Sequence, residues 1–206
     1  MSKFKGKKTK NAPTNAKEKI RTSVLDYIQE PSVLELFCGS GVMYSKVWYK
    51  CNSYIGVDIE PQNDHRMTVS CDAFEYAKSA NIEGINVFDI DAFGSPYKCL
   101  LAIIKRLKKA NIENRIAFCI TDGIEIDMRM SNIQYEMAEL AGVSVKKVKN
   151  AHLIHDRLIK LIISNIANIL DSVVVSAVMS KGNTGAGMRY YSFVIESRKK
   201  DSFKNN

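Results

Sequence analysis

The stretch from Val87 reads VFDIDAFGSPYKC. It sets two carboxylates, Asp89 and Asp91, one residue apart, ahead of Phe93, Ser95 and Pro96. An apolar run that ends on two acids must recover their lost hydration elsewhere, so the acids need a task. Carboxylate oxygens accept hydrogens from an N–H or O–H donor, or take a proton as charge develops on a reacting group. An aromatic ring beside them offers a face on which a flat ring system stacks. A second cluster lies upstream. Leu34-Glu35-Leu36-Phe37-Cys38-Gly39-Ser40-Gly41 puts Gly-x-Gly directly after an apolar run, where missing side chains let a ligand approach the backbone. Asp58 follows Gly41 by 17 residues, at the end of YIGVD. Near this interval a carboxylate can accept bonds from both hydroxyls of a ribose, and a helix cap is its other reading. Asp72, in Ser70-Cys71-Asp72-Ala73-Phe74, is a candidate ligand and equally a plain N-cap.

The elements that must carry these residues follow from periodicity. Residues 16 to 29 show one apolar helical face, Ile20, Val24, Leu25 and Ile28, which Pro31 stops. SVLELF is a short strand, followed by the glycine turn and a helix to about Cys51. Strands are predicted at 54–58, 67–70, 85–90 and 115–121, and helices at 73–79, 98–109 and 153–169. The segments SVVVSAVM and YYSFVI flank KGNTGAGM and read as a closing hairpin. Five alternating strand–helix units predict an α/β fold, with a doubly wound, mostly parallel seven-stranded sheet and a terminal antiparallel hairpin. In such sheets ligands sit beyond the carboxyl ends of the strands, at the switch between the first and fourth.

This arrangement resembles the Rossmann-like (class I) S-adenosylmethionine-dependent methyltransferases; another doubly wound domain, such as a dinucleotide-binding one, is the alternative. The family's acidic residue followed by x-x-x-Gly-x-Gly fits residues 35 to 41. A dinucleotide loop would add a third glycine where this chain has Tyr44, and a phosphate loop would need Gly-Lys-Ser/Thr. The resemblance implies S-adenosylmethionine as cofactor, with Glu35, Phe37, Gly39, Gly41, Asp58, Ile59, Asp72, Ala73 and Asp89 around it; Asp89 has the further option of supporting local geometry. More narrowly, DIDAFGSP is similar to the Asp-x-Asp-Pro-Phe-Gly-Ser-Pro motif of tRNA guanine-N2 dimethyltransferases. Methyltransferases acting on exocyclic amines use a carboxylate and a backbone carbonyl here to accept the amine hydrogens, and an aromatic ring to stack the base. Carried over, those roles fall on Asp91, Ala92 and Phe93, with Phe93, Ser95, Pro96 and Arg189 toward the substrate. The motif departs at Ala92, where proline would fix the backbone. The likeness covers residues 16 to about 196, and that family's C-terminal RNA-holding domain has no counterpart in these 206 residues. The resemblance implies methyl transfer to guanine N2 in RNA; a DNA adenine-N6 or cytosine-N4 enzyme and a non-catalytic nucleic-acid-binding module of the same fold are the alternatives.

Charge points the same way. Residues 1 to 21 carry a net +7 and the rest of the chain a net of +1. Residues 1–15 read as a disordered basic arm ahead of a single domain over 16–200. Such an arm suits a polyanion, RNA rather than DNA on the motif, because neutralised phosphates release counterions; a solubility arm or expression remnant is the other reading. The chain shows no signal peptide and no apolar run of about 18 residues, so a cytoplasmic protein without a membrane partner is expected. Five cysteines without a Cys-x-x-Cys pair suggest free thiols in a reducing compartment and no metal, with Cys99 in the core. His152 and His155 lack a visible third ligand and read as surface or capping residues. Residues 122–150, with Lys146, Lys147 and Lys149, read as a connection that shapes a pocket or as a helical lid. Tyr190 and Tyr191 could stack a base, and Tyr191 equally sits in the sheet core.

Overall fold

Strand residues in this chain point alternately into two apolar layers, and that alternation organises the molecule. The computed structural model describes residues 14–110, 114–130, 133–148, 150–182 and 187–198. The arm expected over 1–15 lies outside the described residues except for its last two, which already belong to a helix. Lys149 and residues 183–186 of the glycine-rich connection also lie outside.

In chain order the elements are α1 (Thr14–Leu25), β1 (Ser32–Leu36), α2 (Val42–Lys46), β2 (Ser53–Asp58), β3 (Thr68–Ser70), α3 (Ala73–Ser79) and β4 (Val87–Ile90). There follow α4 (Tyr97–Leu107), β5 (Ile116–Asp122), α5 (Glu125–Met130), α6 (Tyr135–Ala141), α7 (His155–Ile169), β6 (Ser172–Lys181) and β7 (Arg189–Ser197). The seven strands form one sheet in the order β3-β2-β1-β4-β5-β7-β6. Pairings are parallel from β3 to β5 and antiparallel for β5 with β7 and β7 with β6. The predicted α/β sheet with its closing hairpin is therefore the fold of this chain. Chain order reverses between β1 and β4, the switch point whose carboxyl ends form the ligand crevice in sheets of this kind.

One layer takes Leu34, Leu36, Phe88, Ile90, Phe118 and Ile120 against Leu100, Ile103, Ile104, Leu158, Ile159 and Ile162 of α4 and α7. The other takes Val33, Val87, Ala117 and Cys119 against Ile20 and Val24 of α1, with Trp48 alongside. α1 stops four residues short of the predicted end, because the chain turns at Asp26-Tyr27; Ile28 still reaches the core. The helix expected to run to Cys51 is only the five residues of α2, since Val47 leaves helical geometry and a 3-10 turn over Trp48–Lys50 follows.

Two acids point into the α1 layer. Register places Glu35 of β1 directly beside Asp89 of β4. Asp89 is fully buried and accepts from Arg21 Nε and Nη2 at 2.6 Å each and from Trp48 Nε1 at 2.8 Å. Asp89, expected near the cofactor, instead pins α1 to the sheet. Glu35 is buried too and accepts from the Tyr54 hydroxyl at 2.7 Å, so it also faces away from the crevice. Removing one partner of a buried ion pair strands the other charge, which costs about 3–5 kcal/mol. Arg21→Ala is expected to lower stability by that amount, read from urea unfolding midpoints.

Candidate active site

Four strand ends meet at the crevice. β1 leads into Phe37, whose φ of 65° puts a non-glycine residue in the left-handed region and turns the chain sharply. The Phe37 and Cys38 amides donate to the Val57 carbonyl, so the turn stays tied to β2. Gly39 follows with positive φ, and its amide donates to Asp58 Oδ2 at 2.9 Å. Asp58 Oδ1 accepts from the Glu60 amide at 3.0 Å. A carboxylate has about four lone-pair sites, so a vicinal diol could still bind Asp58. Ile59 beside it is exposed. Asp72 caps α3 as its sequence context allowed: Oδ1 accepts from the Phe74 and Glu75 amides, while the residue as a whole stays exposed. Ala73 is buried beneath it.

Gly41 behaves differently from its expected role. Its φ is 75°, and a Cβ added there would lie 2.5 Å from Cζ of Arg66. The missing side chain makes space for the protein's own guanidinium. Arg66 is almost fully buried, donates to the Gly39 carbonyl at 3.0 Å and pairs with Asp64 at 2.9 Å.

The tip of β4 carries the other cluster. The Asp91 amide donates to the Leu36 carbonyl at 3.1 Å, which holds the tip against the end of β1. Both Asp91 oxygens accept from Lys17 Nζ of α1, at 2.6 and 2.8 Å, and Arg21 Nη2 lies 3.6 Å away. Burial would raise the Asp91 carboxyl, but Arg21 and Lys17 more than offset this and hold it below the usual carboxylate range. Ala92 is buried, whereas Phe93 projects with 88% of its surface exposed. Gly94, at φ 128°, accepts at its carbonyl from the Gly123 amide just past β5. Ser95 bonds Gln134 ahead of α6, and Pro96 is buried at the N-cap of α4. The Ser95 hydroxyl is thus engaged within the protein, and Pro96 offers little surface to a ligand.

Four further expectations change. Arg189, expected toward substrate, is held by Asp156 and Glu125 at 2.7 Å each, so its donors serve the fold. His155 is buried rather than superficial, and its Nε2 lies 2.7 Å from Asp122, which also accepts from the Tyr97 hydroxyl. Tyr190 and Tyr191 are both fully buried, which rules out base stacking. Residues 122–150 contain α5 and α6, and Met137, Ala138 and Leu140 of α6 join the core, so this region is part of the packed layer. Among the described residues no group of three or more His, Cys, Asp or Glu could hold a metal, and no helix is long and apolar enough to cross a membrane.

No protein-family model matches the chain, and no curated protein sequence matches it. Solved structures do match its fold. A putative hemolysin from Lactococcus lactis superposes with TM-score 0.55 at 14% identity, covering 89% of this chain and 88% of that one. TYW2 of M. jannaschii, solved in complex with AdoMet, gives 0.54 at 8%, covering 89% and 75%. The N-methyltransferase NodS of Bradyrhizobium japonicum WM9 gives 0.52 at 11%, covering 89% and 96%. The fold is that of the Rossmann-like methyltransferases. Identities this low speak to architecture alone, and the chemistry rests on the residues.

Lys17, Arg21 and Arg66 had no local motif to announce them. The available signal was Arg21 inside the apolar stripe of α1, a charge that burial obliges to find a partner.

Two outcomes follow from this geometry. Gly41→Ala is expected to destabilise by about 1–2 kcal/mol from positive φ alone, plus a clash term. Adding Arg66→Ala should relieve the clash and leave the φ cost, as a double-mutant cycle of unfolding free energies will read. Burial, with the Asp89 charge adding to it, pushes the Glu35 carboxyl up to about 8. The folded state then keeps a proton that the unfolded chain sheds near pH 4, so the stability Glu35 contributes is full below about pH 4 and is lost as pH rises toward 8. Glu35→Gln should flatten that decline in unfolding midpoints measured from pH 5 to 8.

Proposed function

We propose that this chain transfers a methyl group from S-adenosylmethionine to an exocyclic amine of a nucleobase, guanine N2 in RNA of the tRNA type. The observation that carries the reading is the juxtaposition at the strand tips. An acceptor carboxylate, Asp91, and an exposed ring, Phe93, stand just past the end of β4, beside the crevice that Gly39, just past β1, and Asp58, at the end of β2, border. The site's donor set fits the cofactor: Asp58 retains acceptor capacity for a ribose diol, Gly39 leaves open space, and exposed Asp72 can accept from an adenine amine. The fold is also one that holds AdoMet in TYW2, which is compatible with that cofactor here. The strongly basic start of the chain supports a polyanionic substrate.

The bound sulfonium would supply an already activated methyl group, so positioning carries most of the demand on the protein. Phe93 would stack the base and fix its plane. Asp91 would accept one amine hydrogen and the Ala92 carbonyl the other, which aims the nitrogen lone pair along the displacement axis. As the new N–C bond forms and the S–C bond breaks, Asp91 would take the released proton. Ala92 lacks the ring by which proline would fix the backbone here, and its side chain is buried.

Labelled methyl transfer to total RNA and total DNA, followed by nucleoside analysis, tests the reading. Label in N2-methylguanosine is the expected result; label in N6-methyladenine or N4-methylcytosine of DNA would move the substrate, and no transfer to either would remove the activity. Asp91→Ala should abolish transfer while the cofactor Kd changes by less than about twofold, and Asp58→Ala should weaken cofactor binding roughly tenfold or more, both read by calorimetry.

A further inference from the structure

Lys17 occupies the place the proposed chemistry needs. Its ammonium spans both oxygens of Asp91, where the amine hydrogens of a substrate would have to go. The ammonium is a full counter-ion to this carboxylate, whereas a neutral exocyclic amine brings only its N–H dipoles, so the amine is a poor competitor here. A phosphate changes the contest, because it offers the ammonium a partner of its own.

The two cations on α1 are unequal in this respect. Arg21 is wholly enclosed and held by two bonds to Asp89. Lys17 lies one turn earlier at the rim, with 20% of its side chain exposed, on a four-carbon stem that can swing. Arg21 Nη1 also donates to the Lys17 carbonyl at 3.1 Å, so the backbone stays fixed while the ammonium moves. With Lys17 gone, Arg21 still lies 3.6 Å from Asp91 and keeps that carboxylate ionised and ready to accept.

We propose that Lys17 is a displaceable plug on Asp91, drawn off by a phosphate of the bound RNA, so that the site accepts its amine from a polyanion and discriminates against free nucleosides. The inference rests on the reading of Asp91 as the amine acceptor. Lys17 is then a specificity-determining residue.

Steady-state transfer by the full chain tests this, with guanosine and a short guanine-containing RNA as the two acceptors. Wild type is compared with Lys17→Met over a range of salt, and Lys17→Gln serves where Lys17→Met fails to fold. Removing the plug should lower KM for guanosine roughly tenfold. For the RNA it should make the slope of log kcat/KM against log salt less negative by about 0.7, the share of one single-strand phosphate contact. Unchanged guanosine KM and unchanged salt slope would overturn the proposal, as would wild-type enzyme that uses guanosine as well as RNA. Equal losses on both acceptors would also overturn it, because they would give Lys17 a part in the transfer step. Failure of every protein to methylate either acceptor, with cofactor still bound, would strike the underlying methyltransferase reading instead.

Discussion

The buried pair of Arg21 and Asp89 is the constraint from which the site's arrangement follows. Each ion loses several kcal/mol of hydration on burial, and only close, complete pairing offsets that loss. Two guanidinium bonds and the Trp48 indole satisfy Asp89 with α1 in one register. That register carries Lys17 to Asp91 and Ile20 and Val24 into the lower layer. β4 thus has one acid beneath the sheet for anchoring and one at its tip facing the crevice. The two-residue spacing does not put both acids into one task, because β4 ends at Ile90 and Asp91 already belongs to the turn.

The same logic separates the two acids near β1. Glu35 and Asp58 both flank the glycine turn in sequence, yet strand alternation sends Glu35 down beside Asp89 and leaves Asp58 at the strand end beside the loop. A buried carboxyl without a cation of its own, and beside another acid, is held neutral more readily than ionised, which is why Glu35 is shifted upward.

Architecture was legible in the sequence because periodicity is local. The run of strands and helices, the closing hairpin and the limits of α3 all come from patterns within a dozen residues. That Asp91 and Phe93 lie just past one strand, and Asp58 at the end of another, was legible for the same reason, as short motifs after recognisable strands. What escaped were partners far apart in sequence: Arg21 and Asp89 are separated by 68 residues, and Lys17 and Asp91 by 74. His155 and Arg189 were misplaced for a related cause, since a polar residue on an amphipathic pattern gives no sign of whether a bonding partner awaits it inside. Gly41 shows a subtler failure: its motif spoke of space, and the space proved to be filled from within by Arg66.

α1 also rests on the closing hairpin. It packs against β7 and β6, and Ser23 Oγ lies 3.1 Å from Ser192 Oγ. The helix that brings Lys17 to Asp91 is therefore seated on strands far from it in sequence. A change in the hairpin floor beneath α1 would reach the crevice through that helix, without touching any residue of the strand tips.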